Sequence, residues 1–142
     1  METLKTFRSG VFLASAVETQ AAGAALARLL PPDAVVTLKG LLGAGKTTFV
    51  QGMARAWEIA AAVTSPTYQL YHVHQGRRQL VHLDAYRLQS PDQAEELLIE
   101  ELLQTPWCLV IEWPERLPEA WLQDAWQLRL EPEADGRRLT LT

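Results

Sequence analysis

The chain has 142 residues, of which 48% are hydrophobic and 21% are charged, and its formal net charge is −4. This length fits one domain spanning residues 1–142, and no apolar run approaches the ~20 residues that a membrane-spanning helix needs. An acidic chain is poorly suited to binding nucleic acid by itself, since that needs a basic surface. The single cysteine allows no internal disulfide, and the first ten residues lack the apolar segment of a secretory signal, so we expect a cytoplasmic protein.

A helix and a strand are the first elements that the sequence predicts. Ser15 and Glu18 have the spacing of a capping box at the start of a helix, and Pro31 and Pro32 end that helix. The run AVVTLKG (34–40) is β-branched and apolar and ends in glycine, which is typical of a buried strand.

A glycine-rich segment, GLLGAGKTT (40–48), leads from this strand into a second helix. That helix is predicted from apolar residues at helical spacing, namely Val50, Met53, Ala54 and Trp57. Downstream, TYQLYHVH (67–74) and RQLVHLDAY (78–86) flank Gln75-Gly76 and predict the two strands of a hairpin.

The last third of the chain predicts another helix, a buried strand and a closing hairpin. Ser90 is the expected N-cap of the helix, with Pro91 at its first position and Gln93 as the reciprocal capping partner. The apolar stripe of this helix, before Pro106 ends it, consists of Ala94, Leu97, Leu98 and Leu102. WCLVIEW (107–113) is typical of a buried strand, and the alternating segments 126–130 and 137–142 predict an antiparallel hairpin across Asp135-Gly136.

The glycine-rich segment satisfies the P-loop pattern with Gly40, Gly45, Lys46 and Thr47, and it has the strand before it and the helix after it that make the pattern credible. Glycines let backbone N–H groups converge on phosphate oxygens, and the following helix directs its positive end at them. Lys46, which we expect to be exposed, would lie near the β- and γ-phosphates, and Thr47 would offer its hydroxyl to Mg²⁺. A glycine-rich turn without a ligand is the alternative.

The sequence therefore predicts a single-domain α/β fold of the P-loop NTPase type, with a mixed, largely parallel sheet flanked by helices and antiparallel hairpin strands. Proteins specific for guanine normally use an Asn-Lys-x-Asp element, and this chain contains no asparagine. The expected nucleotide is therefore ATP, with Mg²⁺.

Two apolar strands end on an acid, one at Asp84 and the other at Glu112. A P-loop ATPase needs a carboxylate at the tip of a neighbouring strand to bind Mg²⁺ and to orient the attacking water. We predict these two residues for that role; acids at solvated strand ends are the alternative.

Ser-Pro-Thr (65–67) lies where switch segments of such ATPases often sense the γ-phosphate, although a plain turn explains the same residues. The three histidines, His72, His74 and His82, have no cysteine or further clustered ligand to support a zinc site, so we expect structural or surface histidines.

Four motifs, GLLGAGKTT, SPTY, HLDAYRL and IEWPERL, resemble in order and spacing the TsaE family of small bacterial P-loop ATPases, which act in tRNA threonylcarbamoyladenosine synthesis. The resemblance covers nearly the whole chain. It implies that Glu112 and Thr47 bind Mg²⁺ and that Asp84 and Thr67 act around the γ-phosphate. The phosphates of ATP would be held by Lys46 and by the backbone of Gly43, Ala44, Gly45, Lys46, Thr47 and Thr48.

The resemblance also suggests which residues meet adenine and how the chain works with partners. Residues around 15–19, and Arg137 or Arg138, are candidates for contacts with the base, and Leu41 stands where the family usually has an aspartate. The implied partners are the TsaD and TsaB proteins, of which TsaD transfers the threonylcarbamoyl group to adenosine in tRNA. ATP hydrolysis would reset or activate that synthase, with tRNA met only through the complex and no membrane involved. A small-molecule kinase with the same P-loop, or a nucleotide-dependent binding module, remains the alternative.

Overall fold

The computed structural model describes residues 3–41, 43–64 and 70–142. This part of the chain forms a seven-stranded sheet with helices on both faces. The α-helices are α1 (Leu4–Ser9), α2 (Ala16–Leu29), α3 (Lys46–Ala56) and α4 (Pro91–Glu96). The strands are β1 (Val11–Leu13), β2 (Ala34–Lys39), β3 (Tyr71–His74), β4 (Gln79–Asp84), β5 (Trp107–Glu112), β6 (Trp126–Glu133) and β7 (Gly136–Leu141). Short 3₁₀ helices cover Ala85–Arg87, Ile99–Glu101, Pro114–Arg116 and Glu119–Leu122.

The strand order across the sheet is β1-β7-β6-β2-β5-β4-β3. The four central strands β6, β2, β5 and β4 are parallel to one another, whereas β7 is antiparallel to β6, β1 to β7, and β3 to β4. The predicted α/β fold, with a mixed sheet that is parallel at its centre and has hairpin strands at its sides, is confirmed. The strand before the glycine loop, β2, lies in the middle of this sheet.

Each face of the sheet has its own apolar core, because successive side chains of a strand point to opposite faces. Even-numbered residues of β4 and β5, such as Leu80 and Val110, pack in the cluster that includes Leu26 of α2 and Phe49 of α3. Odd-numbered residues of the same strands pack under α4 and the 3₁₀ segments. Glu112 follows the even pattern and therefore ends β5 on the same face as α3.

Helices α2 and α3 pack so closely that their backbones touch. A Cβ added at Gly23 of α2 would lie 2.1 Å from the Phe49 carbonyl oxygen, and one added at Gly52 of α3 would lie 2.0 Å from the Gln20 carbonyl oxygen. No side chain fits at either position. This crossing fixes α3, and with it the loop that precedes α3, against the rest of the fold.

The cap predicted for α2 is present with one difference. The Ser15 hydroxyl accepts a hydrogen bond from the Glu18 N–H at 3.2 Å, as predicted, but the Glu18 carboxylate accepts from the Ala14 N–H instead of the Ser15 N–H. The segment before this cap, for which the sequence pattern indicated nothing, contains α1 and β1.

The helix predicted between residues 90 and 106 is wrong in length. It ends at Glu96, because Leu98 takes a left-handed backbone conformation with φ of 52° and the chain continues as a 3₁₀ turn. The change of direction leaves Leu98 56% exposed and buries Ile99 in its place. Ser90 is the N-cap residue of this helix, as predicted, but its side chain makes no capping hydrogen bond. The Gln93 side chain accepts from the Gln89 N–H and not from the Ser90 N–H.

The closing hairpin is confirmed, but its turn lies one residue earlier than predicted. Glu133 pairs with Gly136, so Ala134 and Asp135 form the two-residue loop. Gly136 instead permits the approach of β1, since a Cβ there would lie 2.3 Å from the Leu13 carbonyl oxygen. Among the described residues, no helix combines the length and the apolar character required to cross a membrane.

Candidate functional site

The glycine loop joins the end of the central strand β2 to the start of α3. Gly43 and Gly45 have φ of 80° and 94°, a left-handed conformation that residues with a Cβ rarely adopt. A Cβ at Gly43 would meet nothing within 4 Å, so the loop borders open space there. Gly45 is also the N-cap residue of α3, and it carries no side chain to occupy the first N–H groups of the helix. These groups can therefore receive an anion.

Part of the loop backbone is already bonded within the loop. The Ala44 N–H donates to the Leu41 carbonyl oxygen at 3.0 Å, and the Phe49 N–H donates to the Gly45 carbonyl oxygen at 2.9 Å. Thr47 and Thr48 are half-buried in the first turn of α3. The predicted phosphate-binding residues from Gly43 to Thr48 are thus contiguous around the start of this helix.

Lys46 is buried, so the expectation of an exposed side chain is wrong. It is only 5% exposed. Its Nζ donates to the Gly40 carbonyl oxygen at 2.7 Å, lies 3.8 Å from Glu112 Oε1, and stands 4.3 Å from the ring centroid of Trp113. The physical reason is that the end of β5 brings a carboxylate and an aromatic face to the ammonium group, which both attract it.

The two predicted acids are brought together at the ends of neighbouring parallel strands, where Asp84 of β4 is the register partner of Glu112 of β5. Glu112 is buried at 3% exposure. Asp84 is half-buried, and its Oδ1 accepts from the Tyr86 N–H at 3.0 Å.

The surroundings of Asp84 act on its pKa in opposite directions. Burial has the largest effect and raises the pKa above the ordinary value, whereas the hydrogen bond from Tyr86 N–H lowers it. The charge of Glu112 raises it further, and the charges of His82 and Lys46 lower it. The net result is a raised pKa, so this carboxylate holds a proton more readily than a free aspartate does.

Arg137 reaches the loop from the last strand, β7. Its Nη2 donates to the Gly43 carbonyl oxygen at 2.6 Å, and a Cβ at Gly45 would lie 3.0 Å from its Nε. That Nε is buried and has no hydrogen-bond partner among the described residues. Its neighbour Arg138 instead pairs with Glu133, so of the two predicted arginines only Arg137 is at the loop.

Other predicted residues are not part of this arrangement. Thr67 and the rest of Ser-Pro-Thr lie outside the described residues. Ser15 and Thr19 take part in hydrogen bonds at the start of α2, where the Thr19 hydroxyl donates to the Ser15 carbonyl oxygen at 3.1 Å.

Sequence reasoning did not assign His82 or Tyr86 to the site, and it distinguished Trp113 from the other tryptophans only because Trp113 directly follows Glu112. His82 is fully buried, and its Nε2 lies 2.5 Å from Glu112 Oε2. The ring of Trp113, which packs on Lys46, also contacts the ring of Tyr86 with centroids 4.9 Å apart. The signal for His82 was available: it precedes Asp84 by two residues, so it shares the face of β4 on which that acid points.

The other two histidines lie on β3, where His72 is the register partner of His82 and its ring lies 5.9 Å from that of His74. Burial lowers the pKa of His74, and the neighbouring His72 and His82 lower it further. Within the described ranges, no group of three or more His, Cys, Asp or Glu side chains is arranged to hold a metal ion.

The donors at the loop fit a phosphate chain with a divalent cation. The groups that would donate to phosphate oxygens are the ammonium of Lys46, the N-terminus of α3, and the Nε of Arg137, which has no partner among the described residues. The Glu112 carboxylate and the Thr47 hydroxyl are hard oxygen ligands of the kind that Mg²⁺ prefers, with waters completing its coordination.

The fold and these residues define an α/β protein in which a glycine loop follows the central parallel strand β2. Acids end the next two strands on one side of it, Glu112 on β5 and Asp84 on β4. Comparison with known proteins gives the family. The family model described as "Threonylcarbamoyl adenosine biosynthesis protein TsaE" matches residues 13–139. The chain therefore belongs to the TsaE family.

Individual relatives agree with this assignment. The chain is 39% identical over 124 residues to the tRNA threonylcarbamoyladenosine biosynthesis protein TsaE of Treponema pallidum, covering 87% of this chain and 92% of that protein. It is 34% identical over 122 residues to the protein of the same name from Bacillus subtilis, covering 85% and 76% of the two chains. The crystal structure of Bacillus subtilis YdiB superposes with a TM-score of 0.71 at 30% identity, over 93% of this chain and 82% of that one.

Proposed function

We propose that this chain is the ATP-binding and ATP-hydrolysing subunit of the machinery that makes tRNA N6-threonylcarbamoyladenosine, and that it supports turnover of the TsaD–TsaB synthase. The family places it in that biosynthesis. The proposal of ATP hydrolysis rests mainly on the buried contact between Lys46 and Glu112, which lies beside the open glycine loop. Phosphoryl transfer needs a cation that contacts the phosphates and an acid that binds Mg²⁺ or orients water. Lys46 at the end of the loop and Glu112 at the end of the neighbouring strand are groups of these kinds.

The phosphate groups of ATP would bind where three sets of donors converge. The N–H groups at the start of α3 point toward the loop, and Lys46 would exchange its bond to the Gly40 carbonyl for one to a phosphate oxygen. Arg137 already lies against Gly43 and Gly45, and its Nε–H has no partner in the part of the chain that the structure describes. This position favours a phosphate contact for Arg137 over the base contact that the resemblance suggested.

Thr47 and Glu112 would hold Mg²⁺, which neutralises phosphate charge as the transferred group separates. Asp84 lies beside Glu112 and would accept a hydrogen bond from the attacking water and so orient it. Its raised pKa brings it closer to the range in which a carboxylate serves as a base. Thr67 is proposed from the resemblance alone to sense the γ-phosphate.

The chain would hydrolyse ATP slowly by itself and depend on partners. A trans-acting arginine can raise the rate of phosphoryl transfer by ~10³ or more, and a partner protein could supply one. The net charge of −4 disfavours independent binding to tRNA, so contact with tRNA would come through the complex.

The test measures phosphate release from ATP by the chain alone, with TsaD and TsaB, and with a panel of small metabolites, alongside a competition between ATP and GTP for binding. We expect slow hydrolysis alone, faster hydrolysis with the two proteins and a preference for ATP. Phosphorylation of a metabolite, without any effect of TsaD and TsaB, would favour the kinase. Failure to bind either nucleotide would rule out both.

A further inference from the structure

The closest polar contact of Glu112 is with a histidine. Its Oε2 lies 2.5 Å from His82 Nε2, whereas its Oε1 lies 3.8 Å from Lys46 Nζ. His82 has no exposed surface, and Glu112 is 3% exposed. The two residues project from neighbouring strands onto the same face of the sheet, with His82 of β4 in register with Val110 of β5, two residues before Glu112. The rigid centre of the sheet therefore fixes their separation.

The hydrogen-bonding partners of the imidazole assign its proton. Nδ1 of His82 is buried and has no partner in the described part of the chain. A proton on Nε2 is shared with the carboxylate, whereas a proton on Nδ1 would be unpaired and would leave the Nε2 lone pair facing a carboxylate oxygen. His82 is therefore the donor and Oε2 of Glu112 the acceptor.

We propose that His82 is a positioning residue for Glu112: it binds Oε2 and so keeps Oε1 directed toward the cation site. This inference rests on the proposed function, in which Glu112 is a ligand of Mg²⁺. Residues that hydrogen-bond to a metal ligand in this way orient the ligand and increase the affinity of the site for the metal.

The need for such a group follows from Lys46. Lys46 and Glu112 are both buried and carry opposite charges, so without another partner the carboxylate would turn toward the ammonium and shorten their 3.8 Å separation. A closed ion pair would withdraw Lys46 from phosphate and Glu112 from the cation together. The bond from His82 opposes that closure, because it occupies the oxygen that would otherwise complete the pair.

The experiment compares His82→Leu, which removes the donor, with His82→Gln, whose amide N–H reaches the Nε2 position. The matched control is His72→Leu, because His72 pairs with His82 across the two strands, whereas the hydrogen bond and ion pair of Glu112 among the described residues are with His82 and Lys46. Two quantities are measured on the full chain: binding of Mn²⁺ in the presence of ATP by electron paramagnetic resonance, and binding of ATP without metal by calorimetry. Circular dichroism verifies folding.

We expect His82→Leu to weaken metal binding by about 10-fold or more, the usual cost of losing such a group, and His82→Gln to recover most of it. Binding of ATP without metal and the His72→Leu control should stay at wild-type levels. In a Glu112→Gln background, His82→Leu should have no further effect on the metal. If His82→Leu does not fold, His82→Asn replaces it, since its shorter amide does not reach Glu112.

Equal metal binding by folded His82→Leu and wild-type protein would overturn the inference and leave the proposed function standing. Equal losses in the Gln and Leu variants would also overturn it, because packing and not the donated hydrogen bond would then be at work. If the wild-type chain with ATP binds no Mn²⁺, the metal site of the proposed function fails, and the inference fails with it.

Discussion

Lys46 contacts three different kinds of group: a carbonyl oxygen of its own loop, a carboxylate and an aromatic ring. The carboxylate oxygen and the ring centroid lie 3.8 Å and 4.3 Å from the ammonium, so of these three the short contact that a phosphate oxygen would replace is the 2.7 Å bond to the Gly40 carbonyl oxygen. The buried position keeps the side chain ordered, so less conformational entropy is lost when it binds a ligand.

We therefore expect Lys46→Ala to weaken ATP binding by about 10- to 100-fold, the value of a charge-assisted hydrogen bond of about 1.5–3 kcal/mol. Calorimetric titration measures the affinity, and circular dichroism verifies folding. Lys39→Ala is the control, because Lys39 ends β2 with an exposed side chain. Undiminished affinity in the folded Lys46→Ala variant would contradict the assignment of the loop.

The two acids provide a second residue-scale prediction. Glu112→Gln and Asp84→Ala should each lower ATP hydrolysis in the presence of TsaD and TsaB by about 10²-fold or more, since removing one group that stabilises or positions a transition state has costs of this order. Glu115→Gln, an exposed acid near the same strand end, should hydrolyse ATP normally. Wild-type rates in both test variants would mean that these acids only terminate strands.

The raised pKa of Asp84 predicts a pH-dependent stability. A carboxylate whose pKa rises on folding binds protons more tightly in the folded state than in the unfolded state. The free energy of unfolding therefore decreases as pH increases from the ordinary pKa of 3.8 through the raised one. Asp84→Asn keeps an acceptor for the Tyr86 N–H and removes the charge.

Asp84→Asn should raise Tm at pH 7 by about 1–3 °C, because the effect of a partly solvated carboxylate stays below about 1 kcal/mol. The difference from wild type should shrink as pH falls toward 3.8, where Asp84 is protonated. Thermal denaturation followed by circular dichroism across this pH range is the measurement. An Asp84→Asn variant that is less stable than wild type at pH 7, by an amount that shrinks as pH falls, would show that the pKa is lowered instead.

At the scale of elements, the crossing of α2 and α3 connects α2 with the helix that begins at Lys46. Because Gly23 and Gly52 let the two backbones touch, the crossing tolerates no added side chain.

Gly52→Ala should destabilise the fold by about 1–3 kcal/mol, the usual cost of overpacking, although alanine is the better helix former. Urea denaturation measures the change. Ala21→Ser, which adds one atom on the exposed side of α2, should stay within about 0.5 kcal/mol of wild type. An equally stable or more stable Gly52→Ala variant would contradict the close approach.

The elements also show what the sequence could and could not predict. Local signals were sufficient for β2, β5, the start of α2 and the closing hairpin, because a cap or an apolar run marks each of them. Nothing local marks the left-handed backbone at Leu98, and β1 is short and gains its identity only by pairing with β7.

The same distinction applies to the site. Asp84 and Glu112 could be predicted because each ends an apolar strand, and their proximity followed from parallel pairing. The burial of Lys46 and the bond from His82 could not, because both depend on β5 lying beside β2 and β4, which the sequence pattern does not give.

The whole molecule presents exposed or half-buried aromatic surface at the loop end of the sheet, where Trp113 and Tyr86 pack together beside Lys46. A change at Lys46 on nucleotide binding would therefore be transmitted to a surface that a partner can contact.

We expect the chain to co-purify with TsaD and TsaB in the presence of ATP, and Trp113→Ala to weaken this association by about 10-fold or more, as for a central interface aromatic. Thr67→Ala should weaken it as well if that segment senses the γ-phosphate. Leu98→Ala, an exposed apolar residue on the α4 side of the fold, is the control. A pull-down in each nucleotide state is the measurement, and association that ignores both nucleotide and Trp113 would contradict the prediction.

The pairing of β1 with β7 joins Val11 to Leu139, nearly the full length of the chain apart, and β2 likewise pairs with strands from the second half. Chains dominated by such distant contacts fold slowly, on the order of milliseconds to seconds, because long loops must close before any contact compensates for their entropy. Arg137 contacts the glycine loop only when β7 is paired in the sheet, so we expect the complete loop to form late in folding. A nucleotide that recognises the finished loop should accordingly lengthen the lifetime of the native state by slowing unfolding, and leave the rate of folding nearly unchanged.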